Sequence, residues 1–404
     1  MNTIKLLSIL LIFGICISCT NDEPTNVTLS LKSAEIIESN NEFGYGIFNQ
    51  ILSEEADDLN ILVSPLSISQ ALSMALNGAK DQTFAEMQSV LGFEGFSLEE
   101  TNKSNQEIVS SLLNHDPLVE LNIANSIWYR NDFNAKQAFI ENNSRYYLAE
   151  TSKFDPANPV DAKNAMNKWV DKNTKGKIEK IIDNVNPDDV MFLINAVYFK
   201  ADWKTQFKKS NTTTKSFTLD NGTSKEVETM IGEVQLSYYN DEKFSVIKLP
   251  YGSGKFNLLI YLPEEGYTTN DIAPLLESTN FKLLRENPLS KRDIWLPKFE
   301  FRYEKPLNNA LMQMGMKEAF DKYNANFSNI SDLEIYISKV MHKAYIKTDE
   351  EGSEAAAVTS VTFGVTSVGP SEVIKINRSF LFAIVEEDTE SILFMGKVFD
   401  PSAK

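Results

Sequence analysis

The chain has 404 residues, 56 of them Asp or Glu against 39 Lys or Arg, for a formal charge of −17. Such acidity excludes nucleic acid as a partner, because a phosphate-binding face needs clustered Lys and Arg. The two cysteines, Cys16 and Cys19, stand at the start and exclude a disulfide framework, so the fold rests on its core, which a chain of this length can bury.

Residues 1–18 read as a signal peptide: Lys5 precedes an apolar run from Leu6 to Ile17 that is too short to span a bilayer comfortably. Ser18-Cys19, followed by polar Thr20-Asn21-Asp22-Glu23-Pro24, resembles a bacterial lipoprotein signal, although Cys16 stands where that motif usually has Leu. The resemblance implies lipidation of Cys19 and an outer-membrane or cell-surface address, with secretion or the periplasm as the alternative. The spacing Cys16-x-x-Cys19 would suit a redox or metal pair, but it lies where the chain is expected to be cut or acylated. Residues 19–40 are expected to be a polar tether. From 41 to 404 no Gly/Ser-rich linker, charge block or repeat divides the chain, which predicts a single domain.

Helical periodicity marks Asn41–Leu52, Ser67–Gly78 and Asp81–Leu91, with Asn77-Gly78 as a stop. Leu121–Tyr129 alternates as a strand. Met191 to Lys200 is nearly all apolar, which predicts a central strand buried on both faces. Asn195 within it needs hydrogen-bond partners. His115, in polar Asn114-His115-Asp116, reads as a surface residue, and His342 as a satisfied core histidine.

Glu350 to Ser371 stands apart. From Ala355 to Ser371 there is no charge, in small and β-branched residues that suit a strand. With period 2, Ser353, Ala355, Ala357, Thr359, Val361 and Phe363 share a face, small at its start and apolar later. Gly352 between acids reads as a hinge, since a residue without Cβ can swing through φ > 0. A long uncharged strand-competent segment is an aggregation hazard, so its presence suggests a use.

Glu350-Glu351-Gly352-Ser353-Glu354-Ala355-Ala356-Ala357 resembles the hinge of an inhibitory serpin, with Ser353 where the family usually has Thr. Ile61-Leu62-Val63-Ser64-Pro65-Leu66-Ser67-Ile68 is similar to that family's short strand and buried helix, and Asn167-Lys168-Trp169-Val170 to its helix across the sheet front. Further matches are Met191 to Lys200 with Trp203 and Phe207, Ile337 to Ala344, Phe380 to Glu386 and Ile392 to Val398. Together they span about residue 40 to Pro401. The resemblance implies an α+β serpin fold, with helices around a large central mixed sheet, smaller sheets and an exposed reactive-centre loop. It implies hinge roles for Glu351 to Ala357 and a buried "shutter" in which Asn195 meets Ser64, Ser67 and His342. Trp203 would stand at the "breach", where insertion of the loop begins.

An enzyme is disfavoured. Two histidines serve no Gly-x-Ser-x-Gly elbow, and there is neither a His-Glu-x-x-His motif nor a P-loop. No acids show metal-ligand spacing, and no cofactor is expected. Membership of the family implies a monomeric protease inhibitor that traps its target as an acyl-enzyme. A non-inhibitory serpin (chaperone, carrier or storage protein) is the alternative. Family spacing from Gly352 puts the scissile bond at Thr366–Ser367; counting back from the distal strand gives Val368–Gly369. Both offer uncharged side chains, which favours elastase-like, subtilisin-like or cysteine proteases over trypsin-like ones. Thr101 to Asn114 holds only Lys103 as a cation, so heparin activation is not expected.

Overall fold

The computed structural model describes residues 29–113, 115–278, 287–353 and 373–403. Its α-helices are α1 (Leu31–Glu54), α2 (Pro65–Leu76), α3 (Asp81–Leu91), α4 (Leu98–Leu112), α5 (Gln137–Tyr147), α6 (Pro159–Asn173), α7 (Thr269–Ile272) and α8 (Asn308–Met314). The strands are β1 (Ile61–Val63), β2 (Val119–Arg130), β3 (Glu150–Phe154), β4 (Met191–Asp202), β5 (Thr213–Thr218), β6 (Ser224–Asn240), β7 (Phe244–Tyr251) and β8 (Phe256–Pro263). They continue as β9 (Ser290–Pro297), β10 (Phe299–Pro306), β11 (Met341–Thr348), β12 (Gly352–Ser353), β13 (Ile374–Lys375), β14 (Phe380–Glu386) and β15 (Ile392–Val398).

Local chemistry sets several helix starts. Ser64 caps α2 through its side chain, with Pro65 pre-shaped for the first helical position. Ser97 and Glu100 form a reciprocal capping box on α4. Gly92 ends α3 in the left-handed conformation. Helix α1 begins ten residues before the predicted domain boundary at 41, so part of the expected tether is helix. Ser33 and Asn40 are buried among its apolar residues, and such polar positions obscure the hydrophobic stripe. Ser30 caps that helix and hydrogen-bonds Glu107 of α4.

The strands form two sheets. Six strands lie in the order β10-β11-β12-β4-β2-β3, mixed because β2 and β3 run parallel. The other ladder runs β1-β15-β14-β8-β7-β6-β9-β13, with β5 also on β6. It is continuous because β6, 17 residues long, pairs with β5 and β9 along most of its length and with β7 at its far end.

Strands β7, β8, β14 and β15 are buried throughout and fill the centre of the core. Helix α2 packs against both β4 and β15, between the two sheets. Helix α6 lies on the other side of β2 and β4, where Met166 and Val170 pack with Trp128, Ile194 and Ala196. The run Met191 to Lys200 is less enclosed than expected: Met191, Phe192, Leu193 and Val197 are only partly buried. The cause is the neighbour that β4 has on one side.

Candidate functional site

Strand β12 is two residues long and is wedged between β4 and β11. Ser353 pairs with Thr348 on one side and Ala201 on the other, both antiparallel. Strands β4 and β11 therefore run parallel to each other, and among the described residues no ladder joins them directly. Below Ser353 the space between them continues as a small cleft beside Phe199, Tyr345 and Ile346, floored by Ile384 and Phe394.

Gly352 is required there for close approach. A Cβ at this position would stand 2.1 Å from the Ala201 carbonyl oxygen and 2.6 Å from the Asp202 Cα. Its backbone is nearly extended, so the predicted hinge serves here by admitting a neighbouring strand. Ser353 is 3% exposed, and its hydroxyl meets the Tyr251 phenol at 2.6 Å and Thr348 Oγ1 at 3.4 Å.

Trp203 covers this end of the sheet. Its ring stacks on Tyr251 at 4.5 Å and 10°, and Phe207 meets it edge-on. Its indole N–H donates to the Asp349 carbonyl at 2.8 Å and its backbone N–H to the Glu351 carbonyl at 2.7 Å. The acidic turn into β12 is neutralised residue by residue: Asp349 pairs with Lys347, Glu350 with Lys298 and Glu351 with Lys209. Burial pushes the Glu350 carboxyl up, but the Thr212 hydroxyl and Lys298 outweigh it and hold the group below its ordinary value. Asp202 is raised by burial, with Glu351 and Asp349 adding to the rise and Lys200 opposing it.

Farther down the gap, the residues assigned to the shutter are linked through the Ser64–Ser67 contact, with Asn195 on Ser67 and His342 on Ser64. The Ser67 hydroxyl donates to the Asn195 side-chain oxygen Oδ1. The Asn195 amide donates at 2.7 Å to Asn125 on β2, and Asn125 donates to the Tyr147 carbonyl at 2.8 Å. Across the gap, His342 Nε2 accepts from the Ser64 backbone N–H at 3.3 Å, while the Ser64 hydroxyl donates to the Leu393 carbonyl at 2.8 Å and caps Ser67. Asn195 is thus bonded to Ser67 and Asn125, and His342 to Ser64. Burial pushes the His342 imidazole from 6.5 down to about 4, opposed by a hydrogen bond to the Leu62 backbone.

Asn125 was missed. An amide on the same face as Ile123 and Ile127 of an alternating strand carries the same signal as Asn195, since a buried amide needs partners. From Tyr147 the polar contacts run on through Asn102 to Asn77, linking β2 to α2 and α4. Glu351, Gly352 and Ser353 are described; Glu354, Ala355, Ala356 and Ala357, both scissile registers at Thr366–Ser367 and Val368–Gly369, and Cys19 lie outside the described residues. His115 is a correction: it is 6% exposed, not a surface residue. It lies against Glu386, 271 positions away, and nothing in its local sequence marks that contact.

The family model for "Serpin (serine protease inhibitor)" matches residues 38–401. An uncharacterized serpin-like protein of Methanosarcina acetivorans is 30% identical over 425 residues, covering 98% of this chain and 97% of the relative. The native-state structure of tengpin, a thermophilic serpin, superposes with a TM-score of 0.82 at 33% identity, over 93% of this chain and 96% of tengpin. A thyroxine-binding globulin in complex with thyroxine gives 0.80 at 31% identity, over 92% of this chain and all (100%) of that one.

Proposed function

Because the chain belongs to the serpin family, we propose that it traps a protease outside the trypsin-like class, offering residues 354–372 as bait. The nucleophile attacks the Thr366 carbonyl carbon, or that of Val368 in the alternative register. The peptide bond to Ser367, or Gly369, breaks; its nitrogen leaves as an amine and an acyl-enzyme remains. The freed segment upstream then extends β12 down the gap between β4 and β11. At roughly 3.3 Å per residue, about 14 residues carry the tethered protease about 45 Å, where the acyl bond stays unhydrolysed.

The observation that carries this reading is the wedge of β12 between two strands that share no ladder. A strand continued from it would add two antiparallel ladders where the described residues of β4 and β11 have none between them. Held back from that lower state, the native form is kept by a barrier. Ser353 faces the interior, and period 2 sends Ala355 and Ala357 the same way. Each is small and uncharged, so insertion meets neither overpacking nor a buried charge.

The likeness to thyroxine-binding globulin favours a second reading, a non-inhibitory carrier on the same frame. Incubation with pancreatic elastase, denaturing electrophoresis and mass spectrometry of the released fragment separate the two. Trapping gives a complex that survives denaturation and a fragment beginning at Ser367 or Gly369. Cleavage with neither a complex nor a rise in thermal midpoint supports the carrier. Lipidation of Cys19 is part of the same proposal and is read from the mass of the N-terminal peptide, with an unmodified Cys19 as the contrary result.

A further inference from the structure

We propose that His115, Glu386 and Asp388 form a divalent-cation site, suited to Zn²⁺, that clips the approach to β2 onto the turn between β14 and β15. The three offer one imidazole nitrogen and two carboxylate oxygens that all lie within 4.8 Å of one another.

His115 carries the inference. Its side chain is 2% exposed, and Nε2 stands 3.0 Å from Glu386 Oε1 and 3.4 Å from Asp388 Oδ2. Yet among the described residues this nitrogen has no hydrogen-bond partner, so neither oxygen lies in line with it. A ring carrying a proton at Nε2 would aim it at one oxygen. A ring offering its lone pair to an ion aims between them. Donors bound at about 2.1 Å to one ion stand about 3.0 Å apart at a right angle and about 3.4 Å apart at the tetrahedral angle. The two separations from Nε2 fall near those values, and a bound ion would draw the two carboxylate oxygens, which lie within 4.8 Å of each other, to within about 4.2 Å.

Charge points the same way. Glu386 is fully buried, and among the described residues no lysine or arginine forms an ion pair with it. Its Oε2 accepts from the Thr389 backbone and hydroxyl, and Oε1 accepts from the Asp388 backbone, which leaves room on Oε1 toward His115. A buried carboxylate facing a lone imidazole is a place where a cation is needed. Lys255 donates to Asp388 Oδ2 at 2.8 Å and would orient that ligand from outside, while its own charge lowers the affinity. One nitrogen and two oxygens with a remaining open position suit Zn²⁺ better than Ca²⁺ or Mg²⁺, which take oxygen ligands.

The test is calorimetric titration of the full chain with ZnCl₂ in a Cys16→Ser, Cys19→Ser background, so that thiols do not compete. One equivalent is expected to bind. Co²⁺ in its place should give visible absorption from nitrogen and oxygen ligation. His115→Gln, and separately Asp388→Asn at the partly exposed ligand, should weaken binding tenfold or more. Saturating Zn²⁺ should raise the thermal midpoint by roughly 2–5 °C, and neither variant should show that rise. The two variants guard against loss of fold in one of them. Absence of binding, or equal binding by both folded variants, would overturn the site.

Discussion

The Ser353 hydroxyl lies 2.6 Å from the Tyr251 phenol oxygen, beneath the turn that leads into residues 354–372. Tyr251 is fully buried and stacked on Trp203, and burial raises its phenol well above the ordinary value, so it remains protonated. This pair closes the upper end of the gap between β4 and β11, and it is the first contact that a growing β12 would inherit.

Replacing Ser353 by Arg would bury an unpaired guanidinium against Tyr251 and Thr348. Such a charge costs about 3–5 kcal/mol, and because Ser353 is already buried between β4 and β11 it would expel β12 and deny insertion its starting register. Ser353→Arg is expected to be cleaved by the target without forming a stable complex, with the stoichiometry of inhibition rising at least tenfold. Inhibition at the wild-type stoichiometry would refute insertion along this register.

Gly352→Ala places a methyl group against the Ala201 carbonyl. Strand β12 should leave the sheet, at a cost of about 1–3 kcal/mol. Trp203 fluorescence should then shift to the red, and the acidic turn at Glu350-Glu351 should become open to limited proteolysis. Unchanged emission would mean that the backbones separate without expelling the hinge.

Asn195→Ala strands the partly buried Ser67 hydroxyl and the buried Asn125 side-chain oxygen. An unsatisfied buried group costs about 1–3 kcal/mol, to be read from the urea midpoint at constant slope. Because both belong to one network, the double variant Ser67→Ala, Asn195→Ala should lose less than the sum of the single losses. Strict additivity would show that the groups act independently.

His342 sets a pH dependence. Its folded value of about 4 lies below its ordinary 6.5, so between those values the unfolded chain binds a proton that the folded chain does not. Stability therefore rises with pH across that window and is fully present above 6.5. It falls by about 3 kcal/mol as pH drops to 4. His342→Gln, which keeps an acceptor for the Ser64 N–H, should flatten this part of the curve in urea unfolding at pH 4.5 to 7.5. An identical slope in the variant would assign it to other groups.

Much of the frame was legible in the chain. Periodicity placed α3 at its observed bounds and α2 within two residues. Period and composition are local properties that every turn or pleat must satisfy. What only tertiary structure decided lies in pairs distant along the chain. These are the linkage of Asn195 to His342 by way of Ser67 and Ser64, the recruitment of Asn125, the seat of Gly352 against Ala201, and the burial of His115 beside Glu386. Hydrogen bonds and charge compensation are settled between whichever strands the topology makes neighbours, and no window of sequence contains both partners.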